Sequence, residues 1–240
     1  MSQKIIGKVQ NRFDKQYKPR AEVGILKRYS DITQVDMSEG NWLILSSANH
    51  FLNNVKEVCE LRGWYYQYKG INSIPLKLLL AINNWESWRK GCHLNTLEIK
   101  NINEYLGTNV IPGFQKGKTL HSEEKYTLKE CQKDYGLITD NVWFEAFEGL
   151  DPITETYIRN MRANGETLNK NPRIIMSTIH GAKGGEADKV LLMQDLTNAA
   201  LETFSHDPDE LHRLFYTGAT RAKRELHVLD PKNFDRAYIL

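Results

Sequence analysis

The 240 residues are 40% hydrophobic and 26% charged, enough apolar side chain to close a core without disulfides or a structural metal. A formal charge of +2 and a mean hydropathy of −0.54 exclude a disordered tail, and no apolar run approaches the roughly 20 residues that cross a bilayer. The charge is uneven, because Lys4, Lys8, Arg12, Lys15, Lys18, Arg20, Lys27 and Arg28 stand against Asp14 and Glu22, which leaves residues 1–28 at +6 and the remainder at −4.

Such a basic segment suits a phosphate backbone. An extended, solvated start to the chain is the equal alternative. Met1-Ser2-Gln3-Lys4 has neither the apolar centre of a secretory signal nor the character of an organellar one, so a cytoplasmic location is expected. Cys59, Cys92 and Cys131 are odd in number and far apart, and are expected to be buried thiols rather than a disulfide or a metal set.

In chain order, residues 22–28 alternate like a strand, and 42–45 form a short apolar run between Gly40-Asn41 and Ser46-Ser47. Asn49 stands where it can cap a helix carrying Phe51, Leu52, Val55, Val58, Cys59 and Leu61 at helical spacing, and Gly63 is placed to end it. Residues 64–68 complete a βαβ unit, which implies a parallel sheet. Beyond Gly70 the period becomes helical, with helices predicted over 74–88 after Pro75, 94–106, 122–135, 140–147 and 152–161. Residues 107–117 are the least structured stretch, and 163–172 lead back to the sheet. Strand patterns return at 173–177 and 189–193, followed by an amphipathic helix over 209–216 and a strand over 225–229. The expected organisation is a basic lead-in (1–21), an α/β domain in two pieces (22–72 and 173–240), and a mostly helical insertion (73–172).

Two segments carry chemistry. Ser177-Thr178-Ile179-His180-Gly181-Ala182-Lys183-Gly184-Gly185-Glu186 follows a predicted strand, at the ligand side of an open parallel sheet. Its glycines permit left-handed or closely approaching backbone, which suits a phosphate, although no G-x-x-x-x-G-K-[ST] occurs in the chain. Ligand contact and a plain glycine-rich turn both remain open. The second segment runs from Asp209 to Lys223. Leu211, Leu214 and Phe215 can face the sheet, the helix is expected to fray near Gly218, and Arg221 then stands at an element end, where a guanidinium can clamp a transferring phosphoryl group. A solvated basic edge, or pairing of Arg221, Lys223 or Arg224 with the helix dipole, is the alternative.

Together the segments resemble the last two motifs of superfamily 1 DNA helicases of the UvrD/Rep type. The first matches T-x-H-x-x-K-G-x-E through Thr178, His180, Lys183, Gly184 and Glu186; the second matches E-x-x-R-L-x-Y-x-x-x-T-R-A through Glu210, Arg213, Leu214, Tyr216, Thr220, Arg221 and Ala222. The resemblance implies a RecA-like parallel sheet of the P-loop NTPase kind, without its own Walker A loop, interrupted by a mostly helical insertion. It implies that Arg221 reaches the γ-phosphate of ATP, that Glu186 lies on the ribose side with Gly184 shaping the loop, and that Thr178 and His180 lie beside single-stranded DNA. Lys183, Glu210, Arg213, Tyr216 and Thr220 are implied as supporting motif positions.

Gly185 and Ala187-Asp188 depart from the apolar and aromatic neighbours usual around the motif glutamate. The D-E-x-x strand and the N-Y-R segment are also absent from these residues. The resemblance therefore points to the carboxyl-terminal half of an ATP-dependent helicase or translocase. ATP and Mg²⁺ are expected only with a first motor domain, encoded upstream or as a separate product, and no metal site is expected here. Expected partners are that domain and single-stranded or partly duplex DNA, with no membrane. The alternative is a non-enzymatic nucleic-acid-binding module. A nuclease built on Glu145, Glu148 and Asp151 is disfavoured, since no metal-ligand pattern surrounds them.

Overall fold

The computed structural model describes residues 1–12, 23–109, 124–166, 171–182 and 184–240. They divide into two compact units, Met1–Ser73 with Asn160–Leu240, and Ile74–Arg159. The fold is mixed α/β, with a largely parallel sheet and helical insertions, consistent in general terms with a RecA-like architecture.

In the first unit, strands β1 (Ile25–Tyr29), β2 (Trp42–Ser46), β3 (Tyr66–Tyr68), β4 (Ile71–Asn72), β7 (Ile174–Thr178), β8 (Ala187–Met193) and β9 (Ala222–Leu229) form one sheet in the order β1-β9-β8-β2-β7-β3-β4. Every pairing is parallel except β3 with β4. All five residues of β2 are buried, because the strand lies between β8 and β7 and is covered on both faces; this is why it reads as an unbroken apolar run.

One face of the sheet presents Leu43, Leu45, Val190, Leu192, Leu226 and Val228 to helix α9 (Pro208–Ala219), which contributes Leu211, Phe215 and Ala219. Tyr238 joins the same core, its ring stacked 4.2 Å from that of Phe215. The amino end is helical rather than extended: α1 (Ser2–Ile6) buries Ile5 in this core, and Val9 is buried as well. Its apolar residues gain more from that burial than from a solvated conformation. Helix α8 (Asn198–His206), which the sequence reading does not mark, packs Leu201 and Phe204 against the same cluster.

On the opposite face, helix α2 (Asn53–Arg62) buries Val55, Val58 and Cys59. Asn49 does not cap it with its side chain. A 3-10 turn over Asn49–Leu52 leads into the helix instead. Gly63 does end it, with φ of 66°, and the Trp64 amide donates back to the Cys59 carbonyl at 2.8 Å.

The second unit holds α3 (Leu76–Arg89), a two-stranded ladder of β5 (Leu94–Asn95) and β6 (Lys125–Tyr126), α4 (Thr96–Asn103), α5 (Leu128–Asp134) and α6 (Trp143–Ala146). Helix α7 (Pro152–Ala163) begins in it. Two helices start later than their apolar period predicts, because the preceding residues pair as strands and capping boxes then open the helices: Asn95 with Glu98, and Thr127 with Glu130. Buried Trp85 and Trp88 donate their indole N–H groups to the carbonyls of Asn141 and Tyr126, each at 2.9 Å.

Cys59 and Cys131 are buried, and burial pushes the Cys131 thiol up to about 12; Cys92 is exposed, contrary to the expectation of a buried thiol. Among the described residues no helix is long and apolar enough to cross a membrane, and no group of His, Cys, Asp or Glu side chains could hold a metal ion.

Candidate functional site

The connection from β7 to β8 organises the site. Parallel strands are usually joined by a dozen or more residues that include a helix, but here residues 179–186 alone make the crossing, without a helix or strand among those described. The loop passes over β2, where a Cβ on Gly185 would lie 4.0 Å from Leu43. Buried Ile179 and Ala182 anchor it in the core, and the Ile179 amide donates to the Ser46 carbonyl at 2.9 Å. Ile175 on β7 stays 44% exposed, and it lines a cleft of about 720 Å³ along the sheet face. That volume suits a small ligand or a short piece of a polymer.

The loop joins the two edges of the sheet. At the carboxyl edge, the Thr178 hydroxyl accepts the Gly181 amide at 3.1 Å and lines the cleft with Asn49, Ser177 and Gly181. Gly181 fits because a Cβ there would lie 2.7 Å from the Ser177 hydroxyl. His180 is exposed on another wall of the loop, where it lines a smaller groove of about 260 Å³ with Glu210, Arg213, Leu214 and Thr217 of α9. Thr178 and His180 therefore belong to different depressions, one to either side of the loop.

At the amino edge, Gly184 takes φ of 89°, which glycine adopts without strain, and Glu186 precedes β8. The Ala187 amide donates to the Arg221 carbonyl at 3.2 Å, and Ala187 is in register with Ala222, so the two motif segments meet there. Lys223 lies 3.9 Å from the Glu186 carboxylate, a half-exposed pair with little energetic weight. Lys183 falls outside the described residues.

Helix α9 does not fray at Gly218. It continues to Ala219, and buried Gly218 is a packing position, since a Cβ there would lie 3.0 Å from Leu192. At the helix end the Thr217 carbonyl accepts both the Thr220 hydroxyl, at 2.9 Å, and the Arg221 Nε, at 3.1 Å. The pairing of Arg221 with the helix terminus is thus present. It uses Nε, and among the described residues no partner is recorded for the two terminal nitrogens, which leaves the outer fork of the guanidinium available.

Tyr216 packs against the core, Glu210 is exposed, and Arg213 donates to the Asn11 carbonyl at 2.6 Å. Beside Arg213 is a residue that sequence reasoning missed. Asp209 accepts the amides of Asn11 and Gln10, each at 2.8 Å, and these bonds, helped by Arg213, hold its carboxyl below the usual carboxylate range despite the opposing effect of burial. No local signal marks this contact, which joins positions about two hundred residues apart.

Residues 148–230 match the model of the UvrD-like helicase C-terminal domain. The match runs from α7 through β7, the crossing loop, β8, α8 and α9 to β9, and so contains every motif residue named above. A UvrD-like C-terminal module carries a general association with DNA and with a helicase motor. No curated protein matches the chain.

Proposed function

We propose that the chain supplies the second motor domain of an ATP-dependent DNA helicase or translocase. The carrying observation is that Glu186 and Arg221 converge at the amino edge of β8 and β9, while Thr178 and His180 stand at the other end of the same eight-residue loop. In this reading Arg221, braced through Nε, turns its outer fork to the γ-phosphate of ATP, Glu186 faces the ribose with Gly184 shaping the turn, and Thr178 and His180 contact the single strand. Glu210, Arg213, Tyr216 and Thr220 hold α9 and its end in place.

The residues fit part of the nucleotide only. A guanidinium and a carboxylate suit phosphate and ribose. The 240 residues contain no Walker A loop. The metal and the β-phosphate are therefore assigned to a first motor domain, which positions ATP against Arg221.

Phosphate release with oligo-dT and an added first motor domain tests this. Arg221→Ala should lower the maximal rate by about 10³-fold or more with little change in ATP affinity. Near-normal turnover by a folded alanine variant would refute the role. DNA-stimulated phosphate release by the chain alone would refute the division of labour.

A further inference from the structure

A second cationic feature lies at the carboxyl edge of the sheet, on residues outside the two motif segments. Lys56, in the first turns of α2, places its Nζ 3.8 Å from the centroid of the Tyr68 ring, and Lys69 places its Nζ 5.4 Å from the same ring. Two ammonium groups thus share one phenol. Lys56 also donates to the Asn53 side chain at 3.1 Å, and among the described residues neither lysine has a carboxylate within ion-pair distance. Like charges gathered without an acid repel one another, and an anion relieves the repulsion.

The backbone adds an independent sign. Lys69, with φ of 52°, is the non-glycine residue in the left-handed region among those described, a conformation disfavoured for a long side chain. Lys69 also lines the cleft, together with Asn49, Ser177 and Thr178. Register sets the spacing: Ser46 pairs with Thr178 and Tyr68 with Met176, so the ends of β2, β7 and β3 stand side by side, each about 5 Å from the next. Asn49, Thr178 and Lys69 therefore follow the ends of three neighbouring strands, over two gaps that together span about 10 Å, the length of a short piece of single strand.

We propose that Lys56 and Lys69 form a phosphate-contact site that extends the single-strand track from Thr178 across the end of β3. The inference rests on the DNA reading above and adds two residues outside its motifs. The lysines hold backbone phosphates and carry no base preference, while Tyr68 keeps both ammonium groups at the edge.

Fluorescence anisotropy of labelled oligo-dT and oligo-dA, titrated with the full chain over a range of salt, decides it. Lys56→Gln preserves helix propensity, and Lys69→Gly suits the positive φ, so both variants should fold. Each should weaken binding to both oligonucleotides equally and reduce the slope of log K against log salt by about 0.7, the pair by about 1.4, whereas Lys100→Gln on α4 should leave the slope unchanged. Wild-type binding with an unaltered slope in the double variant overturns the lysine site and spares the DNA reading. Absence of any binding by the wild-type chain overturns both.

Discussion

Two glycines with left-handed backbone separate conformational strain from tertiary contact. Gly63 has φ of 66° and Gly70 has φ of 78°, so alanine is strained at either. That strain costs about 1–2 kcal/mol, and the lower entropy of the unfolded alanine chain returns about 0.4–1 kcal/mol, which leaves a loss of about 1 kcal/mol for Gly70→Ala. A Cβ on Gly70 meets nothing within 4 Å. A Cβ on Gly63 would lie 2.5 Å from the Asn160 carbonyl carbon and 2.7 Å from the Met161 amide nitrogen, both backbone atoms of α7 that cannot swing aside as a side-chain tip would. Overpacking of that kind adds about 1–3 kcal/mol, for a total of about 2–4 kcal/mol. For a chain of this size the difference of about 1–3 kcal/mol corresponds to a melting temperature about 2–12 °C lower for Gly63→Ala than for Gly70→Ala. Thermal unfolding followed by both far-ultraviolet circular dichroism and tryptophan fluorescence checks it, with coincident transitions required before the shift is converted to free energy. Equal melting temperatures for the two variants would refute the argument that the approach of α7, rather than the turn itself, makes Gly63 necessary.

Gly218→Ala tests the packing of α9. Its gain of about 1 kcal/mol in helix propensity should be outweighed by the 3.0 Å approach to Leu192, giving a net loss of about 1 kcal/mol by urea titration; stabilisation would show that Leu192 moves aside freely. The Asp209 carboxyl is held below its ordinary value chiefly by the Asn11 and Gln10 amides, so its contribution is complete above about pH 4 and is lost as pH falls through the depressed folded value. Asp209→Asn should therefore unfold more readily at neutral pH and show a shallower acid dependence, and an unchanged acid profile would count against the contact. His227 is held below its ordinary value by burial, which outweighs its hydrogen bond to Glu225. Stability should accordingly fall as pH drops below about 6.5, because the unfolded chain takes up the proton first, and His227→Gln should flatten that slope in denaturant midpoints measured between pH 5 and 7.

Local physics made several features legible in the sequence. Helix α3 follows Pro75, Gly63 closes α2 because few other residues accept a left-handed turn, and β2 declares a doubly covered strand by its unbroken apolar run. Both motif segments could be placed at element ends from residue type and spacing alone. The tertiary structure decided the rest, because the deciding contacts join residues remote in sequence. Ile5 and Val9 read as part of a basic lead-in until α1 meets α9 and Tyr238, and Asp209 reads as one more helix acid until Gln10 and Asn11 arrive at its carboxylate. Gly218 looked like a helix stop because its lack of a side chain is equally suited to ending a helix or to seating one against Leu192, and only the packed sheet distinguishes the two. The same holds for Thr178 and His180. They are two residues apart in the chain, yet the loop's path over β2, set by core anchors at Ile179 and Ala182, assigns them to separate depressions, because where a side chain points at a strand end depends on what the following residues are packed against.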